Sequence, residues 1–137
     1  MPQSFHALGV SAPVVRALAR RNIHTPFAVQ ELVLPDALAG LDVLVESPTG
    51  SGKTLAFGLA MIERTSGADA HPTALVLAPT RELAVQIATD LQPFAATKNI
   101  RISTVYGGVS IGPQAKAAKR ALRRVGRTWL TAPAWYG

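Results

Sequence analysis

The 137-residue chain contains no cysteine, which excludes a disulfide framework and any thiolate metal site. Its three histidines, His6, His24 and His71, stand at no metal-ligand spacing and read as ordinary surface or loop residues. No apolar run approaches the roughly 20 residues of a membrane-spanning helix, and the N-terminus lacks a basic region followed by a long apolar stretch. These absences lead us to expect no membrane partner and a cytoplasmic setting. There is no internal repeat and no low-complexity tract, although residues 114–127 lean toward Ala, Lys and Arg. The most informative absence is of one charge sign: no Asp or Glu follows Asp90.

The net charge of +6 therefore conceals a division. Residues 1–90 carry all eight acids and six Lys/Arg, whereas residues 91–137 carry eight Lys/Arg alone. A block this basic suits a polyanionic partner through phosphate neutralisation, or else a solvated tail; charge by itself leaves both open. A hydrophobic content of 48% is that of a globular chain long enough for one domain or part of one.

Along the chain, Ser11 is placed to cap a helix with apolar positions Val14, Val15, Leu18 and Ala19, fading near Arg21-Asn22. Thr25-Pro26 restarts helical turns through Leu32, and Pro35 begins another short piece. The run Asp42-Val43-Leu44-Val45-Glu46 is short, apolar and β-branched, and predicts a buried strand. A helix is expected from about Lys53 to Arg64, a second strand at 74–78 after a loop around Gly67-Ala68-Asp69, a helix of about four turns from Thr80, and a third strand over 100–106. Strands alternating with helices predict an α/β fold, a parallel sheet with helices on both faces.

Between the first strand and its helix lies Ser47-Pro48-Thr49-Gly50-Ser51-Gly52-Lys53-Thr54. Gly50, Gly52, Lys53 and Thr54 in this position fit a phosphate-binding loop, with Ser47 where the strict pattern has glycine. Small residues let backbone N–H groups turn toward phosphate oxygens, and the helix N-terminus adds partial positive charge. Lys53 would reach the β- and γ-phosphates, and the Thr54 hydroxyl would ligate Mg²⁺. The loop alone says nucleotide binding; kinases, transporters, GTPases and helicases share it.

The flanking residues are more particular. Upstream, the segment from Asn22 to Gln30, with Pro26 inside it and Phe5 standing 17 residues before it, resembles the Q motif of DEAD-box RNA helicases. The family usually has Gly and an aromatic residue where this chain has Asn22 and Ile23, and a small hydroxyl residue where it has Phe27. Downstream, Pro79-Thr80-Arg81-Glu82-Leu83-Ala84 resembles the family's motif Ia, and Gly107-Gly108 its paired-glycine element. The resemblance implies a RecA-like phosphate-loop fold and ATP with Mg²⁺ as ligands. Gln30 would address the adenine edge and Phe5 would stack on the purine. Pro79, Thr80, Arg81, Gly107 and Gly108 would face RNA. A small-molecule kinase has no reason to carry these flanking residues. A non-catalytic basic module binding RNA through residues 98–127 is the remaining alternative.

The same resemblance implies that hydrolysis draws on an Asp-Glu-Ala-Asp motif at the end of a later strand. With no acid after Asp90, we expect this chain to bind ATP without hydrolysing it, as a truncated front portion of the helicase. The expected organisation is a Q-motif region at 1–34, a partial ATP-binding domain at 35–124 and an atypical tail at 125–137. Beyond Gly112-Pro113, a helix would set Lys116, Lys119, Arg120, Arg123 and Arg127 along one side, facing either RNA or solvent. From Val125 on, Gly126-Arg127-Thr128-Trp129 and the Pro133–Gly137 end fit no strand period. Reading those codons two bases later permits Gly-Ala-Asp-Val-Val, closer to the family, which suggests a frameshifted gene end. Trp129, Trp135 and Tyr136 would either stack on bases or belong to an unpacked tail. Asp42 to Glu46, lacking strand neighbours, is expected to leave an uncovered apolar face.

Overall fold

The computed structural model describes residues 3–66, 68, 72–107, 110, 112–114, 116 and 127–131, with Pro72 and 127–131 described by backbone alone. The chain divides after Arg64 into two compact units.

The first unit begins with turns that bury Phe5, Leu8 and Val10. Helix α1 (Ala12–Ala19) buries Val14, Ala17 and Leu18, one stripe at helical spacing, while Ala19 is exposed. Ser11 occupies the N-cap position but makes no side-chain cap. Its amide and hydroxyl both donate to Glu63 Oε1, at 2.9 and 2.8 Å. The hydroxyl donates to the carboxylate, a strong charged acceptor, and accepts from no first-turn N–H, so Ser11 tethers α1 to another helix instead of capping its own. At the other end Asn22 adopts φ 59° and Ile23 N–H donates to Leu18 O at 3.0 Å, a left-handed stop.

Helix α2 (Ala28–Ala39) runs unbroken through Pro35, where two separate pieces are expected from sequence. Proline removes one i to i−4 hydrogen bond. Pro35 is exposed while Val29, Gln30, Val33 and Leu34 are buried, so the loss falls on the solvent side and packing of the opposite face holds the helix together. Gly40 closes α2 in the left-handed conformation, with Leu41 N–H donating to Asp36 O at 3.0 Å. Helix α3 (Lys53–Arg64) buries Ala56, Gly58, Leu59, Ala60 and Ile62 and packs on α2. Arg64 Nη1 donates to the Ala37 carbonyl at 3.2 Å.

The buried strand expected at Asp42–Glu46 is absent: residues 41–48 form neither helix nor strand. A strand exists through its ladder, and no strand of the described sheet pairs with this segment. Only Val45 packs inward, against Val29, Val33 and Ala56. Leu44 is fully exposed, in keeping with the uncovered apolar face.

The second unit is a parallel three-stranded sheet of β1 (Pro72–Leu77), β2 (Arg101–Val105) and β3 (Arg127–Thr131), in the order β1-β3-β2. Helix α4 (Arg81–Ala95) connects β1 to β2 and packs on β2 and β3. It buries Ala84, Ile87, Leu91, Phe94 and Ala95. Thr80 caps it, its hydroxyl accepting from Leu83 N–H at 3.2 Å. The tail requires a correction. Arg127–Thr131 is the central strand, with Leu75 and Ser103 both opposite Trp129. A central parallel strand takes its place from two neighbours, so a five-residue run with no alternating pattern of its own can still be held there. Arg127 accordingly lies in β3, outside any helix. Residues 112–114 and 116 are helical; Lys119, Arg120, Arg123, Trp135 and Tyr136 fall outside the described residues.

Candidate nucleotide-binding site

Two glycines set the shape of the 47–54 loop. Gly50 (φ 80°) and Gly52 (φ 88°) both occupy the left-handed region that side-chain-bearing residues avoid. Around Gly50 the space is open: a Cβ there would meet nothing within 4 Å. Gly52 is crowded, and a Cβ would lie 2.5 Å from Gln30 Nε2 and 2.7 Å from Phe27 Cδ2. The loop therefore has an open shoulder at Gly50 and a packed one at Gly52. Ser51 N–H donates to Pro48 O at 3.3 Å, and Ala56 N–H donates to Gly52 O at 3.2 Å as α3 begins.

Lys53, the first residue of α3, donates through Nζ to the carbonyls of Ser47 and Pro48, the latter at 2.7 Å. The ammonium thus folds back over the loop's own backbone, close to where the sequence places it against phosphates. Thr54 follows as the second residue of α3, partly buried. Ser51 Oγ is buried and has no hydrogen-bond partner among the described residues. A buried hydroxyl left unpaired is uncommon and calls for a partner. An anion seated in this loop would supply one, so the donor set fits a nucleotide's phosphates.

Gln30 is 2% exposed and joins the Q-motif segment to the loop. Its Oε1 accepts from Phe27 N–H at 2.9 Å, and its Nε2 donates to Gly52 O at 3.1 Å. Both amide functions expected to meet a base are thus engaged within the protein. Phe5 is likewise 2% exposed, lies in the core and is not among the described residues that line the cleft beside Gln30. Stacking on a purine requires an open ring face, and the buried Phe5 presents none here. The cleft, of about 290 Å³, is lined by the 22–25 stretch together with Phe27, Gln30, Gly52 and Leu55. Phe27, Ile23 and Leu55 were missed as candidates. Their signal lay in position: each neighbours a motif residue and carries an apolar side chain.

In the second unit Pro79, Thr80, Arg81 and Gly107 are all exposed. The Arg81 guanidinium carbon sits 4.4 Å from the centroid of the Tyr106 ring, a cation–π contact that brings motif Ia beside the residue preceding Gly107. Gln114 holds Tyr106 from both sides, accepting from its N–H and donating to its carbonyl, each at 3.0 Å. Gly108 lies outside the described residues.

A family model described as DEAD/DEAH box helicase matches residues 27–128. The chain belongs to the DEAD/DEAH box helicase family. Among curated relatives, the DEAD-box ATP-dependent RNA helicase CshA of Geobacillus kaustophilus is 37% identical over 117 residues, covering 85% of this chain and 25% of the relative. Two solved structures are similar. One is a DEAD box protein from Methanococcus jannaschii, with a TM-score of 0.82 and 29% identity over 96% of this chain and 35% of that one. The other is the RNA helicase Prp28 from Chaetomium thermophilum bound to ADP, with a TM-score of 0.80 and 31% identity over 96% of this chain and 33% of that one. The DEAD-box chain described here thus spans about a quarter to a third of the length of these relatives, and its fold is RecA-like α/β. The family match leaves nothing in favour of a different phosphate-loop enzyme or of a basic module without nucleotide.

Proposed function

We propose that these 137 residues form the ATP-binding portion of an RNA helicase that remodels RNA at the expense of ATP in a cytoplasmic setting. The observation that carries this reading is the junction in the first unit, where Gln30 Nε2 donates to Gly52 O and ties the Q-motif segment to the phosphate loop. On this reading Gly50, Ser51, Gly52 and Lys53 hold the phosphates, with Ser47, Pro48 and Thr49 completing the loop, and the Thr54 hydroxyl ligates the Mg²⁺ that accompanies ATP. Gln30 reads the adenine edge once its two internal bonds are exchanged for the base. Thr80 and Arg81, with the glycines at 107 and 108, meet the RNA backbone. The Thr80 hydroxyl accepts from Leu83 N–H, which leaves its hydrogen free to donate to a phosphate.

No Asp or Glu follows Asp90 within the 137 residues, so the polypeptide by itself holds nucleotide without hydrolysing it. Titration calorimetry with ADP and GDP tests the reading. ADP is expected to bind more tightly, and Lys53→Ala to cost about 1.5–3 kcal/mol of that affinity, the range for a hydrogen bond to a charged group. Equal binding of ADP and GDP, or binding of neither, would overturn it.

A further inference from the structure

The cleft beside Gln30 contains an aromatic ring that neither the local fold nor the family resemblance accounts for. Phe27 occupies the N-cap position of α2, where Ser, Thr, Asp or Asn is favoured because an oxygen there satisfies a free amide of the first turn. A phenyl ring offers no such acceptor, and here it is 58% exposed. The helix gains nothing from it and water receives much of an apolar surface. What the ring does touch is informative. Its edge closes on the same point of Gly52 as the Gln30 amide, 2.7 and 2.5 Å respectively from where a Cβ would stand. It thus lies beside the phosphate loop with much of its surface free, lining a cleft of about 290 Å³. That volume sits near the lower end of the roughly 300–1,000 Å³ of small-molecule pockets, enough for a base. Phe27 is the only Phe, Tyr or Trp among the described residues lining it, and Phe5 is buried at 2% exposure.

We propose that Phe27 is the aromatic platform for the nucleobase in this chain, supplying affinity by stacking while Gln30 supplies selectivity. The inference rests on the nucleotide-binding reading above. Stacking on a ring is tolerant of base identity; hydrogen bonding by an amide is not. The two residues, three apart, therefore divide the work of recognition.

Calorimetry on the full chain with ADP and, separately, pyrophosphate tests this. Phe27→Ser places a favoured cap residue at the helix start, so the variant is expected to fold. Its ADP affinity should fall about 5- to 150-fold, the span of a lost base–aromatic stack, with pyrophosphate affinity unchanged. Phe27→Leu should lose ADP affinity in the same direction, since it keeps bulk without a π face. Phe27→Trp should retain it, and its added indole emission, measured against the wild-type trace, should respond to ADP and not to pyrophosphate. If wild type binds ADP and Phe27→Ser binds it equally well, or weakens ADP and pyrophosphate alike, the platform is refuted and the nucleotide-binding reading stands. If wild type binds neither ligand, both fail together.

Discussion

Gly50 and Gly52 share a backbone conformation and differ in what surrounds them, which makes them a controlled pair for separating strain from packing. At Gly50 a methyl group meets open space, so Gly50→Ala carries only the left-handed penalty of about 1–2 kcal/mol. At Gly52 the same methyl must also displace the Gln30 amide and the Phe27 ring. Displacing Gln30 breaks its bond to Gly52 O and leaves a buried amide unpaired, a further 1–3 kcal/mol or so. Urea denaturation followed by circular dichroism should therefore rank Gly52→Ala below Gly50→Ala, with both below wild type. Equal losses would mean that the Gln30–Gly52 junction carries no stability.

Among the elements, α2 shows how packing overrides a local rule. A proline in a helix interior is about 3 kcal/mol less favourable than alanine, yet α2 continues through Pro35 because its buried face is anchored by Val29, Val33 and Leu34. Since Pro35 is itself exposed, Pro35→Ala should restore the missing hydrogen bond at no packing cost and stabilise the first unit by about 1–3 kcal/mol, read as a higher urea midpoint. An unchanged midpoint would place the strain of Pro35 elsewhere than in α2. The same contest marks what could be read in advance. Helix α3 was legible from Lys53 to Arg64, since its apolar spacing, its start at the phosphate loop and its packing agree. The helix starting at Thr80 and the strand after it were legible because local pattern and packing agree there too. Where local and distant influences disagree the sequence misleads: Pro35 does not divide α2, Ser11 turns to Glu63, and Arg127–Thr131 becomes a strand through paired neighbours 54 to 55 residues earlier for β1 and 26 for β2. In the site, the loop was legible from residue type alone. The cleft wall was not, because burial separates Phe5 from Phe27, and an isolated aromatic in a sequence carries no sign of its own exposure.

On the scale of the whole molecule, the balance between covered and uncovered apolar surface is uneven. Phe94, Leu91 and Ile100 in the second unit and Leu18, Leu34 and Leu59 in the first are all but removed from water. Against them stand Leu32 at 77% exposure, Leu41 at 60% and Leu44 at 102%, along with Leu75 at 59% and Leu77 at 70%. Large exposed apolar side chains are a recognised association hazard when they gather in a patch, and the irregular 41–48 segment adds backbone groups with no ladder to satisfy them. Of these side chains Leu44 is the one whose replacement removes no burial, because it has none to lose. Leu44→Lys should therefore leave the folded chain's stability within about 0.5 kcal/mol of wild type while reducing its self-association. Sedimentation velocity across a concentration series checks this directly: wild type should shift to larger species as concentration rises, and Leu44→Lys should shift less. The substitution also adds a positive charge to a chain already at +6, which opposes association by long-range repulsion that salt screens. Repeating the series at high salt separates the two effects. A difference between the proteins that persists in salt belongs to the lost apolar contact, and one that vanishes belongs to charge, which would leave the exposed leucine without a part in association.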